Sequence, residues 1–168
     1  MNNKFLLFTL LISSTLFAQQ ANVKDAFLEK WGNSKNYLIE MAQLMPEEDY
    51  GYKPTERQRS FKEQLDHIQS NMDWLGSKYF EMEKAETSKL TNEKEHVITS
   101  LEAAFDGVAR AVEATSEEEL KETVQFFAGP KSKLQILNLL LDHVTHHRGQ
   151  LIVYLNLKEI EPPKYVGW

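Results

Sequence analysis

The chain contains no cysteine. That excludes a disulfide framework, a thiol nucleophile of its own, a metal site built on thiolates and a lipid anchor on an N-terminal cysteine. It also lacks a Lys/Arg-rich run with interleaved aromatics. Its 19 basic residues are outnumbered by 25 acidic ones, for a net charge of -6. Binding to nucleic acid, which rests on neutralising phosphates, is therefore disfavoured. No segment of useful length alternates apolar and polar residues with a period of two, so no sheet is expected. No internal repeat or low-complexity stretch is present.

What remains is an ordinary globular composition, 42% hydrophobic and 26% charged, in 168 residues. That length suits one domain with a real core. The first 18 residues read as an address. Lys4 supplies a short cationic start, Phe5 to Phe17 is apolar but for Ser and Thr, and Ala18 precedes Gln19-Gln20. This is the order of a secretory signal peptide, and the run is short for a membrane span. Cleavage near Ala18 is expected, leaving a domain of residues 19–168 in an exported, periplasmic or secreted protein. No stable membrane insertion is expected after cleavage. The competing reading is an uncleaved anchoring helix.

Four long helical patterns follow. Val23, Phe27, Trp31, Leu38, Met41 and Met45 recur at three-to-four spacing, and Pro46 stops the run. After a polar connection with Gly51 and Pro54, Ser60 and Glu63 make a capping-box pair ahead of the stripe Phe61, Leu65, Ile68, Met72, Leu75 and Tyr79. A third helix covers about Asn92 to Ala114. Ser116 and Glu119 then cap a short extra turn, and Phe126 to Pro130 breaks the chain. The fourth long helix starts after Ser132, with Gln135 as its cap partner, and runs to about Lys158; Pro162-Pro163 ends it. Four amphipathic helices in one domain predict an all-α, antiparallel four-helix bundle. The connections between the second and third and the third and fourth helices exceed a minimal hairpin.

Chemistry concentrates in His143-Val144-Thr145-His146-His147-Arg148-Gly149-Gln150-Leu151. Four apart, His143 and His147 share one helix face a turn apart, the spacing by which two imidazoles bind one transition metal. His147 shares its face with Ile136, Leu140, Val144, Leu151 and Tyr154 and so points inward; His143 lies at the edge of that face, about 40° away. A buried imidazole needs a hydrogen bond or a metal. His146 falls on the other flank. His67, on the second helix, lies off the apolar stripe, and periodicity alone does not place it inside. His96, among Glu93, Lys94 and Glu95, reads as exposed. Arg148 is expected to pair with Asp142 or Asp66, Gly149 to let a neighbouring helix approach, and Gln150, on the His143 side, to support the site from behind.

These residues carry a resemblance to the DinB/YfiT-like family of metal-binding four-helix bundles. The match is strongest over His143-x-x-x-His147-Arg148-Gly149-Gln150-Leu151, with Tyr154-Leu155 and Ile160-x-Pro162-Pro163 after it. It extends to Tyr50-x-Tyr52-Lys53-Pro54, Ser60 and Leu65-x-His67-Ile68, and spans nearly all of the chain beyond the leader. The resemblance implies one divalent metal held by His67, His143 and His147. Zinc and nickel suit imidazole best, with iron and manganese also compatible. It further implies hydrolase or thiol S-transferase chemistry on a small molecule, with a low-molecular-weight thiol as a candidate partner. The alternatives are a metal-holding or stress-related bundle without turnover, and histidines that serve only as core hydrogen-bonders. Asp66, Glu63 and His146 are the candidate general bases. A homodimer is an open option. The chain departs from the family at Lys158-Glu159, where a glycine often precedes the Ile-x-Pro-Pro segment.

Overall fold

A computed structural model describes residues 22–85 and 92–165. The expected signal peptide and its cleavage point lie outside the described residues. Within them run α1 (Val23–Leu44), a 3-10 turn at Glu47–Asp49, α2 (Phe61–Tyr79), α3 (Glu93–Ala114), the short α4 (Glu117–Lys121) and α5 (Lys133–Leu157). Local signals set nearly every boundary. Ser60, Ser116 and Ser132 each accept the backbone N–H three residues on, while Glu63, Glu119 and Gln135 accept a bond in return from the cap residue's own N–H. Such a box satisfies two of the donors that a helix start leaves unpaired. Asn22 and Asn92 cap α1 and α3 with a side-chain oxygen.

One element departs from the expected absence of a sheet. Thr123-Val124 pairs antiparallel with Lys131-Ser132, a ladder of two residues on each side. Two residues cannot display a period, so the sequence carries no strand signal there. The ladder folds the 122–132 connection into a hairpin that delivers the chain to the start of α5.

The long helices close a ring in which α3 packs on α1 and α2, and α5 packs on α2 and α1. α1 and α3 are antiparallel. The Lys24 amine reaches the Glu113 and Thr115 carbonyls at 3.2 Å, and the Lys94 amine reaches those of Gln43 and Met45 at 2.7 Å. Each helix thus sends a cation to the other's C-terminal carbonyls, where the dipole favours it. α2 and α5 form the second antiparallel pair, with Gln64 near Tyr154 and Trp74 near Phe126. Where the two pairs meet, α2 and α3 run parallel, as Lys62 beside Glu93 and the shared contacts of Gly76 and Gly107 with Met82 show. α3 therefore starts at the same end of the bundle as α2, which explains the long connection after Tyr79.

An apolar core runs the length of the interior, from Phe27 and Trp31 through Leu38, Met72, Leu101 and Phe105 to Val144 and Leu151, with Gln64 and His147 buried among it. Among the described residues, no helix is long and apolar enough to cross a membrane. The end of α5 is a Schellman arrangement. The Glu159 N–H donates to Asn156 O and the Ile160 N–H to Leu155 O, with Glu159 at φ 59°. That left-handed conformation is the one glycine adopts most readily. The departure at Lys158-Glu159 is therefore a glutamate in a glycine-favouring position.

Candidate metal centre

α2 and α5 bring three imidazoles from distant parts of the chain together. His67 Nε2 and His143 Nε2 stand 3.2 Å apart, and the ring centroids of His67, His143 and His147 are 4.5–4.9 Å from one another. One ligand nitrogen from each lies within 4.8 Å of the others. His147 is buried, as its face of α5 predicts; His67 and His143 are half-buried. What places His67 inside is the crossing of α2 against α5, a tertiary fact that the periodicity of α2 cannot carry.

The set is held from behind. His147 Nδ1 lies 2.9 Å from Gln64 Oε1 and 3.0 Å from Gln150 Oε1. With two carbonyl oxygens as partners, Nδ1 is the protonated nitrogen and Nε2 keeps a free lone pair. Gln150 also meets exposed His146, whose Nε2 is 3.2 Å from the Gln150 amide nitrogen. Gln150 therefore meets His147 rather than His143, the side its helical position suggested, with His146 behind it. Gln64 is a residue of the candidate site not among those expected from the sequence. Its signal is its place in the apolar stripe, three after Phe61 and four before Ile68, where a polar side chain needs a reason.

The electrostatics keep the rings neutral. Burial pushes the His143 imidazole down to about 4, aided by the neighbouring His147, His67 and His146 and by Arg59. Burial likewise takes His147 down to about 4 against the Gln150 hydrogen bond, with His67, His146 and Arg59 adding to the fall. His67 is lowered by burial and then by Arg59. Neutral imidazole is the form that ligates metal. Two polar atoms of this seam lack a partner: His143 Nδ1, and Oδ1 of Asn71, one turn beyond His67. A buried polar atom left unpaired costs about 1–3 kcal/mol.

Several expectations are corrected. Arg148 pairs with neither Asp142 nor Asp66; its guanidinium sits over the Tyr37 ring at 5.0 Å, a cation–π contact that ties α5 to α1. Gly149 admits no close neighbour, since a Cβ there would meet nothing within 4 Å. The close approaches occur at Gly76 and Gly107, where a Cβ would stand 2.7 and 2.9 Å from Met82 Sδ. His96 is half-buried rather than exposed, with an unpartnered Nδ1, and takes no part in the cluster. The candidate carboxylate bases are engaged elsewhere. Asp66 receives the Lys62 amine at 2.7 Å, and Glu63 accepts the Ser60 N–H at 2.6 Å with Lys53 at 3.3 Å.

The Tyr50-x-Tyr52-Lys53-Pro54 stretch braces the centre. The Tyr50 hydroxyl donates to Ala42 O at 2.8 Å, and Tyr52 meets Tyr154 edge-on. The Tyr154 hydroxyl donates to Arg59 O at 2.6 Å. The loop before α2 is thus bolted to α5 next to the histidines. An open groove of about 380 Å³ borders His67, lined also by Arg57, Arg59, Glu63, Asp66 and Ser70.

Comparison with known proteins agrees with the helical fold. The chain is 24% identical over 128 residues to the uncharacterized protein YjoA of Bacillus subtilis (strain 168), covering 72% of this chain and 81% of that one. The crystal structure of YjoA, described as a DinB-like protein, superposes with a TM-score of 0.70 at 22% identity, over 83% of this chain and 96% of that one. A DinB-like protein from Bacillus cereus ATCC 10987 gives 0.73 at 16% identity, over 84% and 96%. These likenesses fix the fold. The DinB family profile matches residues 17–165, and with nearly the whole chain so covered, the protein belongs to the DinB family.

Proposed function

We propose that His67, His143 and His147 hold one divalent metal ion and that the centre serves a hydrolase or thiol S-transferase reaction on a small molecule in an exported protein. The observation that carries this is the 3.2 Å contact between the ring nitrogens of His67 and His143, beside a third imidazole whose Nδ1 is already bonded. Two nitrogens bound at about 2.0–2.1 Å to one tetrahedral ion stand about 3.3 Å apart. The donor set fits: three neutral imidazoles on two helices, with no carboxylate or thiolate among them. Such a set suits zinc or nickel and is compatible with iron or manganese.

A bound ion of this kind supplies a Lewis acid that makes water or a thiol more acidic. The chain's own residues do the rest. Gln64 and Gln150 fix the tautomer of His147, and Arg59 helps to keep the rings unprotonated. The open groove beside His67 admits solutes. With Asp66 and Glu63 engaged by lysines and His146 Nε2 turned to the Gln150 amide, none of the three candidate general bases is free. That favours thiol transfer over hydrolysis, because a thiol ionises near pH 8.5 and needs less help than water. The same engagement supports a second reading, a metal-holding bundle without turnover.

Elemental analysis of untagged protein tests the centre. One equivalent of metal is expected in the wild type and little in His147→Ala. Wild-type metal content in that variant would defeat the assignment. Turnover is tested with the metal-loaded protein, a low-molecular-weight thiol and a small alkylating electrophile. Loss of thiol above the uncatalysed rate, absent in His147→Ala, supports transfer; metal binding without it supports the holding role. Export rests on Lys4, the Phe5–Phe17 run and Ala18. N-terminal sequencing of protein from its native host should find a start near Gln19.

A further inference from the structure

The groove beside His67 carries charge that the bundle does not use. Arg57 and Arg59 line it, both exposed, and neither guanidinium has an anionic or aromatic partner among the described residues. The two acids on the same groove are already matched, Asp66 by Lys62 and Glu63 by Lys53. The lining's two arginines and two acids balance in number, but the acids are already neutralised by lysines outside the groove, so the arginines are its unmatched charges. Unpaired arginines are common on a surface where their backbone is loose. Here the backbone is held.

Arg59 precedes the capping residue Ser60, and its carbonyl accepts the Tyr154 hydroxyl at 2.6 Å. The neighbouring turns are tied as well, with the Phe61 N–H donating to Tyr52 O at 3.0 Å and the Lys62 N–H to Tyr50 O at 2.9 Å. The guanidinium is thus a fork on a fixed backbone, lining the same groove as His67. Its charge is close enough to act on all three imidazoles. A planar fork of N–H donors matches the two oxygens of a carboxylate or phosphate.

We propose that Arg59, assisted by Arg57, binds an oxyanion group of the substrate and sets that substrate against the face of the His67–His143–His147 cluster. The substrate class is a small organic anion bearing a carboxylate or a phosphate. Only the placement beside a reacting centre rests on the metal reading; the anion site itself stands on the groove.

The test is an NMR titration of the full chain, metal-loaded and metal-stripped, following arginine side-chain Nε–H signals at constant ionic strength. Inorganic phosphate and malonate are the probes, and the tighter of the two separates a phosphate from a carboxylate site. In both metal states the Arg59 signal should shift saturably. Affinity should fall at least tenfold in Arg59→Gln and further in the Arg57→Gln/Arg59→Gln double variant. Arg110→Gln, which removes the same charge from an exposed position on α3, should bind as wild type does. No shift with either probe, equal affinity in the double variant, or an equal loss in Arg110→Gln would each overturn the proposal. Metal content measured on the same samples keeps the outcomes apart. Wild type without metal defeats the metal centre while the titration still scores the anion site.

Discussion

The two antiparallel seams of the bundle are built on opposite terms. Between α1 and α3, Trp31 stacks on Phe27 at 5.3 Å and tilts against Phe105 at 4.8 Å, and its indole N–H donates to Phe105 O at 3.0 Å. The polar groups of that seam are matched, from the Trp31 indole and the Lys35–Asp106 pair to the lysines closing each helix end. Between α2 and α5, two turns are given over to imidazoles and glutamines, and buried polar atoms stand unpaired. One seam holds the molecule together. The other accepts a local cost at the candidate site.

The comparison breaks most readily at Trp31. Replacing it with alanine removes the stacked indole and its hydrogen bond, and Trp-to-Ala changes in cores cost about 3–5 kcal/mol. Denaturant unfolding should show a loss of that size, with metal content per folded molecule unchanged. Stripping the proposed metal should act on the other seam alone. An ion at about a hundred times its dissociation constant adds about 2.7 kcal/mol to the native state. A chelator should thus lower Tm while circular dichroism retains the helices, because the α1–α3 seam persists. Collapse of the helical signal would show that the two seams are not separable.

Acid should sharpen the contrast further. In the metal-stripped protein, His143 and His147 titrate at about 4 when folded, against about 6.5 for a histidine in the unfolded chain. Across that window the unfolded chain binds protons that the folded one refuses, so stability is full above about pH 6.5 and is lost as pH falls toward 4. The His143→Leu/His147→Leu variant lacks this contribution. Its Tm should fall less between about pH 7 and about pH 4.5 than that of the stripped wild type, and an equal fall would mean the rings are not held neutral by burial. The smallest effect belongs to neither seam. Glu159→Gly relieves a left-handed residue and should raise stability by up to about 1 kcal/mol in thermal melts, with metal content untouched.

Much of the fold is legible in the sequence because its signals are local. The Ser-x-x-Glu and Ser-x-x-Gln boxes and the three-to-four spacing of apolar residues place α2, α4 and α5 to within a residue of their observed starts. In the site, His147 is legible from its position in the stripe of α5. His67 is not, because its surroundings are made by α5, some eighty residues later in the chain. The partner of Arg148 is hidden for the same reason, since Tyr37 lies on α1. Gln64 is visible as a polar residue in an apolar stripe, but only the imidazole facing it says why it is there. Arg57 and Arg59 carry no periodic signal at all, being in a loop.

Met82 has a consequence of another kind. After α2 the chain turns at Glu81, φ 55°, and lays the thioether over Gly76 and Gly107 at once. Both glycines are filled by one side chain, so the three positions form a single unit of inheritance. A methyl group at 76 or 107 would stand 2.7 or 2.9 Å from the sulfur, so the Met82 side chain must shift or residue 82 must shorten. A smaller residue at 82 frees both glycines to grow. Substitution histories among relatives with this fold should therefore show 76, 82 and 107 changing together, though they lie on three separate stretches of chain and none touches the histidines.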